Sequence, residues 1–381
     1  MARSFGKSCS NIPEMADDIP NTNDVESAEV VLPGGELTDT LAFFTDGLGF
    51  RVDSIYPADA PRVAVISGYG IRLRLDADFQ GAPGALRLQR RTAEKSEPQV
   101  APNGTSIEFA SGDEPVEIPP LHASLIVRHM SDGPGWGEGR AGMQYRDLIP
   151  DRFGGRFIAS HIRIPDGGPV ADYVHHHHVH FQMIFCVRGW VRVVYEDQGQ
   201  PMLMEPGDCF LQPPHIRHRV LESSDNMEVV EISCPAEHET CVDHLMELPT
   251  RVPGPDRDFG GQRFVFHQSG SALWSPWKHS GFEQQDTGIE NATAGVVSAI
   301  VIRASGAVGS VTLRHDGDIC FLFVLAGSAS LNCSGANNYR IEKNTSAAIP
   351  SGQNAELTSA SPDFKMLRVF VPSQRSGQST R

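Results

Sequence analysis

No apolar run in this 381-residue chain approaches the about eighteen residues of a membrane span; ICFLFVLA, at 319–326, stops far short. The first residues carry no apolar core of the signal-peptide kind, so a cytoplasmic location is expected. Basic residues are in the minority. The 32 Lys and Arg against 47 Asp and Glu give a net charge of -15, which argues against nucleic acid and against an anionic membrane surface as partners. No helix-turn-helix signal is visible, which counts against a transcription factor. The seven cysteines include no C-x-x-C pair, so zinc-ribbon and redox roles have no support. Cys186, Cys209, Cys234 and Cys320 lie in or beside apolar strand-like runs and read as buried free thiols.

What the chain has is histidine. Of its fifteen, five crowd positions 175 to 180 in YVHHHHVHFQMIFCVRGW. The cluster is internal, between apolar runs that read as strands, so it is not an expression tag. Neutral imidazole is the commonest side-chain metal ligand. A His-x-His pair on a strand puts two rings on one face, because strand side chains alternate with period two. That is half of a metal site.

Residues 1–24 are polar and aperiodic and are expected to form a disordered tail. From 25 to 112 the order is strand, helix, then strands, with Leu37, Leu41 and Phe44 at helical spacing. On FFTDGLGF (43–50) and APNGTSIEF (101–109) this α+β segment resembles one βαβββ module of the vicinal-oxygen-chelate (glyoxalase) superfamily. That resemblance implies ligands at Glu29 and Glu108, but the family builds its site from two modules and only one is visible. Residues 113–144, rich in Pro and Gly, are expected to be a linker that packs through Trp136 and the apolar SLIV. Beyond them almost every segment reads as strand. Short strands with Gly, Pro and Asp turns, in a chain with 37 Gly and 27 Pro, indicate sandwiches or barrels.

The β region repeats. Gly189 aligns with Gly327, Pro213 with Pro350 and Pro235 with Pro372, at offsets of 138, 137 and 137. Two copies of one β-barrel are expected, over 145–247 and 248–381.

In the first copy Gly168, His175-x-His177, Gln182 and Gly189 are followed by Gly207, Pro213-x-His215, His218 and Glu222. These two stretches resemble the two motifs of the cupin superfamily, which run Gly, His-x-His, Glu, Gly and then Gly, Pro-x-Gly, His, Asn. The resemblance implies a mainly β fold: two tandem cupin (double-stranded β-helix, jelly-roll) barrels after the βαβββ module. It also implies metal ligands His175, His177, Gln182 and His218, with His176-x-His178 as a second possible frame. Three positions depart from the pattern. Gln182 replaces Glu, His215 replaces Gly and Glu222 replaces Asn. In the second copy Leu313, Cys320 and Ala355 replace three of the four ligands and only His315 remains, so that barrel is expected to be metal-free.

A neutral Gln leaves the charge of a divalent metal uncompensated, which favours an anionic chelating substrate. Gln cannot accept a proton, so a base is sought among His215, Tyr195, Glu222 and His161. Arg163, Arg192 and Arg217, on or next to flanking strands, are the candidates for holding a substrate carboxylate. The metal expected is a divalent transition ion: Fe(II) first, with Mn, Zn or Ni as alternatives. The leading expectation is a dioxygenase using O2 on a small carboxylate, enol or phenol, similar to the gentisate type. A non-redox lyase, isomerase or decarboxylase is the first alternative, and a ligand-binding or sensory barrel the second. A homodimer is expected, because cupin-like barrels associate through exposed sheet faces.

Overall fold

A computed structural model describes residues 25–90, 97–111, 116–133, 135–139, 142–335 and 337–373. The expected tail, 1–24, lies outside the described residues. The chain divides into two compact units, Met1–Pro115 and Val116–Arg381.

In the first unit β1 (Val30–Pro33), α1 (Leu37–Ala42), β2 (Arg51–Tyr56), β3 (Val63–Gly68) and β4 (Ile71–Asp76) follow in βαβββ order. Their sheet runs β1-β4-β3-β2, with β1 parallel to β4. Leu37 and Phe44 of the helical segment pack with Leu73 and Leu75, which is what their spacing is for. A separate sheet, β5-β7-β6, joins β5 (Ala85–Arg90), β6 (Gln99–Val100) and β7 (Ser106–Ser111). Glu29 precedes β1 and pairs with Arg72 at 3.1 Å, while Glu108 is exposed on β7. Glu29 thus adjoins the first sheet and Glu108 belongs to the other, and no grouping of the two as ligands is seen among the described residues.

The second unit is built from four antiparallel sheets. The segment expected as a linker supplies β8 (Ile126–Arg128) and β9 (Gly137–Glu138). A seven-stranded sheet, β21-β17-β14-β19-β11-β10-β9, takes in β10 (Gln144–Asp147), β11 (Ile158–Ile164), β14 (Phe181–Arg188), β17 (Cys209–Gln212), β19 (Met227–Cys234) and β21 (Val265–His267). Facing it is a sheet of β12 (Gly168–Pro169), β13 (His175–His177), β15 (Val191–Tyr195), β16 (Met202–Met204), β18 (His218–Ser223) and β20 (Thr240–Val242). The second pair repeats this plan. Its larger sheet is β22 (Ser275–Pro276), β23 (Phe282–Asp286), β24 (Ser298–Ala304), β31 (Lys365–Val371), β26 (Ile319–Ala326), β29 (Ser346–Pro350) and β8. Its smaller sheet is β25 (Val311–Thr312), β30 (Ala355–Thr358), β27 (Ser328–Cys333) and β28 (Asn338–Glu342).

The boundary at 247/248 is crossed by strands. β21 pairs with β17 of the first pair, and β8 pairs with β29 of the second. This exchange covers an edge in each large sheet, where unpaired N–H and C=O groups would otherwise be left.

Three apolar clusters fix the layering. One lies inside the first pair (Ile162, Val193, Tyr195, Phe210) and one inside the second (Ile302, Leu322, Leu331, Met366). The third joins the two large sheets face to face, through Phe181, Met183, Phe185 and Ile232 against Phe321, Phe323, Leu367 and Val369. Both faces of each large sheet are therefore buried. On β14 the odd residues point to the inter-sheet layer, and Gln182, Ile184 and Cys186 point into the first pair. Cys186, Cys209, Cys234 and Cys320 are buried free thiols.

Candidate metal centre

His175, on β13, stands opposite His218, on β18. His218 in turn stands opposite Tyr195, which belongs to the inner cluster of the first pair. The rings of His175, His177 and His218 therefore point inward. One ligand atom from each lies within 4.8 Å of the others. Ring centres are 5.1 Å apart for His175 and His177, 4.3 Å for His175 and His218, and 5.2 Å for His177 and His218.

The rings are anchored from behind. His175 Nδ1 is 2.7 Å from the Tyr173 carbonyl and His218 Nδ1 is 3.1 Å from the Ile216 carbonyl. A carbonyl only accepts, so both Nδ1 atoms carry the hydrogen and both Nε2 atoms carry the lone pair. His177 Nδ1 meets the Thr240 hydroxyl at 2.9 Å. Asp172, with its side chain wholly buried, lies 3.6 Å from His175 Nδ1 and accepts the Val220 N–H. Carbonyl and carboxylate partners of this kind orient metal-binding imidazoles.

Gln182 points into the same interior. It is buried, and its Oε1 has no hydrogen-bond partner among the described residues. Three imidazoles held in the Nε2 form or able to take it, with an orphaned amide oxygen on the facing sheet, form a donor set that fits a divalent transition metal.

Of the two overlapping frames, His175 and His177 are the pair that meets His218. His176 and His178 turn to the other side, against His215 at ring distances of 5.5 and 4.9 Å. His215 therefore belongs to an outer histidine group and not to the inner one. It occupies the left-handed region, at φ 64°.

The other candidates divide sharply. Tyr195 is brought to the cluster, stacked on His218 at 5.4 Å. Burial pushes its phenol well above the ordinary range, with the Glu231 carboxylate adding to the effect, so it is a wall of the site and not a base. His161 is on the wrong face of β11. It stands opposite Val230 in the inter-sheet layer, touches Phe323 of the second pair, and is held between Glu228 at 2.9 Å and Arg146 at 3.3 Å. Arg163 shares that outer face, bonded to Gln144 at 2.7 Å and stacked 4.4 Å over Trp136. Arg192 and Glu222 pair with each other at 2.5 Å. They alternate with the inner residues Val191 and Val193, so they face outward. Arg217 is tied to Asp243 at 3.3 Å and to the His215 carbonyl at 3.4 Å. None of the three arginines faces the inner histidines, so none is placed to hold a carboxylate there.

Other residues do face the site. Glu231 is on the inner face of β19, opposite Ser160 and Ile184. Gln212 and Ser233 flank Gln182 on the adjacent strands. His238 approaches His177, with ring centres 5.5 Å apart. The signal for three of these was present as polar residues inside apolar runs (CFLQ, EVVEISC), but not its direction.

The family model described as "Cupin domain" matches residues 160–233. The match marks this segment as similar to a cupin domain. It contains all three clustered histidines and Gln182. Among solved structures, protein Ylba from E. coli matches at 9% identity, covering 70% of this chain and 97% of its own, with a TM-score of 0.50. A salicylate 1,2-dioxygenase from Pseudaminobacter salicylatoxidans matches at 15% identity, covering 68% and 88%, with a TM-score of 0.50. A point mutant of the Bacillus subtilis oxalate decarboxylase OxdC matches at 11% identity, covering 68% and 79%, with a TM-score of 0.47. At these identities the likeness is one of fold. No curated protein matches the chain. Among the described residues no helix is long and apolar enough to cross a membrane.

Proposed function

We propose that the chain is a bicupin enzyme that binds a divalent transition metal on His175, His177, His218 and Gln182 of its first barrel and acts on a small anionic substrate, with an Fe(II) dioxygenase as the leading reading. The observation that carries it is the inward convergence of three imidazoles, with the Nδ1 atoms of His175 and His218 fixed on carbonyls. When bound, such a metal supplies Lewis acidity and, as Fe(II), a centre for O2 activation.

The chain's own residues set the conditions. The four proposed ligands are all neutral, so an anionic substrate is the natural counter-charge. Tyr195 stacks on His218 and is itself packed by Phe210 and Phe264, which makes that side of the site apolar. The fold shared with salicylate 1,2-dioxygenase agrees with a small aromatic or hydroxy acid at the level of fold only.

Glu231 favours a second reading. A carboxylate on the inner face of β19, opposite Ile184 and Ser160, can take a proton from a bound substrate. That is the requirement of a lyase, isomerase or decarboxylase, which needs no oxygen. The second barrel, lacking three of the four ligand types, is read as metal-free, and the whole as a cytoplasmic homodimer.

The test is metal analysis of untagged protein, followed by oxygen-uptake measurements with a panel of aromatic and hydroxy acids. Bound iron with uptake on one acid supports the dioxygenase. Bound metal with product but no uptake supports the second reading. A protein that binds the acids without turning any over is a sensory cupin, and one that binds no metal overturns the proposal.

A further inference from the structure

Gln182 stands directly opposite Gln212 on one side and Ser233 on the other, so the three make a polar row across β17, β14 and β19. All are buried, at 2%, 1% and 0% exposure. Gln212 follows the inward-facing Phe210 by two residues, and Ser233 follows the inward-facing Val229 by four, so the row faces the histidine sheet. Both Gln212 amide atoms, the Ser233 hydroxyl and Gln182 Oε1 are without a hydrogen-bond partner among the described residues.

A buried polar atom left unpaired costs about 1–3 kcal/mol, so four in one row require something polar against them. A metal on Gln182 Oε1 accounts for one. It leaves the donor and acceptor of Gln212 and the hydroxyl of Ser233.

The second copy of the fold is an internal control. Cys320 stands opposite Ile349 and Phe370, in the same pairing that joins Gln182 to Gln212 and Ser233. The architecture therefore does not require a polar row. The row occurs only in the copy that has the three histidines.

We propose that Gln212 and Ser233 bind a second polar group of the substrate, one that accepts from the Gln212 amide and the Ser233 hydroxyl. The substrate is then a small acid with a hydroxyl or a further carboxyl beside its carboxylate. The inference rests on the metal-centre reading above, because the metal positions the carboxylate.

The experiment uses the full chain loaded with Mn(II), as wild type, Gln212→Met and Ser233→Ala. Bound metal, ligand-free Tm, and the affinities for glycolate, oxalate and acetate are measured. All three proteins are expected to retain metal. Gln212→Met is expected to lower the preference for glycolate and oxalate over acetate by roughly 10- to 100-fold, with Ser233→Ala smaller in the same direction. The ligand-free Tm of Gln212→Met should not fall, because the substitution removes two orphaned atoms at similar volume. Metal present with an unchanged preference overturns this inference alone and means that the row holds water. A lowered Tm also overturns it, by making Gln212 structural. Wild type without metal overturns the metal-centre reading and this inference with it.

Discussion

The backbone N–H of His215 donates to the carbonyl of His177 at 3.2 Å, tying the loop after β17 to a proposed metal ligand. In the second copy Gly352 makes the same bond to His315 at 2.9 Å. Both donors have positive φ, 64° for His215 and 74° for Gly352. The glycine of the second motif is thus a backbone requirement, and in the first copy a histidine meets it under strain. A left-handed non-glycine residue costs roughly 1–2 kcal/mol. His215→Gly is expected to leave bound metal unchanged and the unfolding free energy within about 1 kcal/mol of wild type, the relieved strain offsetting the extra freedom of the unfolded chain. His215→Val, β-branched at the same φ, should cost about 2 kcal/mol in denaturant unfolding.

Metal should depend on one copy only. His218→Ala is expected to lose most bound metal by elemental analysis. His315→Ala should keep it, while losing its edge contact with Phe370 and its 2.8 Å bond to the Ile349 carbonyl, the bond being worth about 1 kcal/mol. Added Mn(II) at a hundredfold excess over its Kd should stabilise wild type by roughly 2.7 kcal/mol and leave His218→Ala unmoved. Equal metal loss in both variants would show that the two copies had been assigned wrongly.

Gln182→Glu adds an anionic oxygen facing three neutral imidazoles. It is expected to slow metal loss to a chelator by about tenfold or more, because a unit charge then opposes the cation at short range. If metal leaves no more slowly, Gln182 does not reach the ion.

Stability should fall on acidification through the inter-sheet layer. Burial holds the His161 imidazole below its ordinary value, even though the Glu228 carboxylate favours its charged form. The unfolded chain then binds a proton near pH 6.5 that the folded chain refuses, so the contribution of His161 is full above that pH and is lost as pH falls toward its folded value. Glu228 is held below the carboxylate range by its bond to His161, and its contribution is lost at lower pH still. Denaturant midpoints measured from about pH 7.5 to 5 should drop less steeply in His161→Phe than in wild type. Parallel curves would place the acid sensitivity elsewhere.

The spacing of His175, His177 and His218 was readable in the chain, as was the orphan status of His315 in the second copy. Gln212, Ser233, Glu231 and Asp172 were not, because a polar residue in an apolar strand is as easily a satisfied core group as part of a site. His161 illustrates the limit. It pairs with Glu228 and Arg146 across elements far apart in sequence, and only the fold shows that the pair is structural.

The sequence by itself determined which residues share a face: period two put His175 with His177, and Arg163 with His161. It could not determine which face looks inward. Both faces of the large sheets are buried, one against the smaller sheet of the same pair and one against the other large sheet, so hydrophobic alternation has no solvent side to serve as reference. Only the packing of the two large sheets through Phe181, Phe185, Phe321 and Phe323 decided that Gln182 turns toward the histidines and His161 away from them.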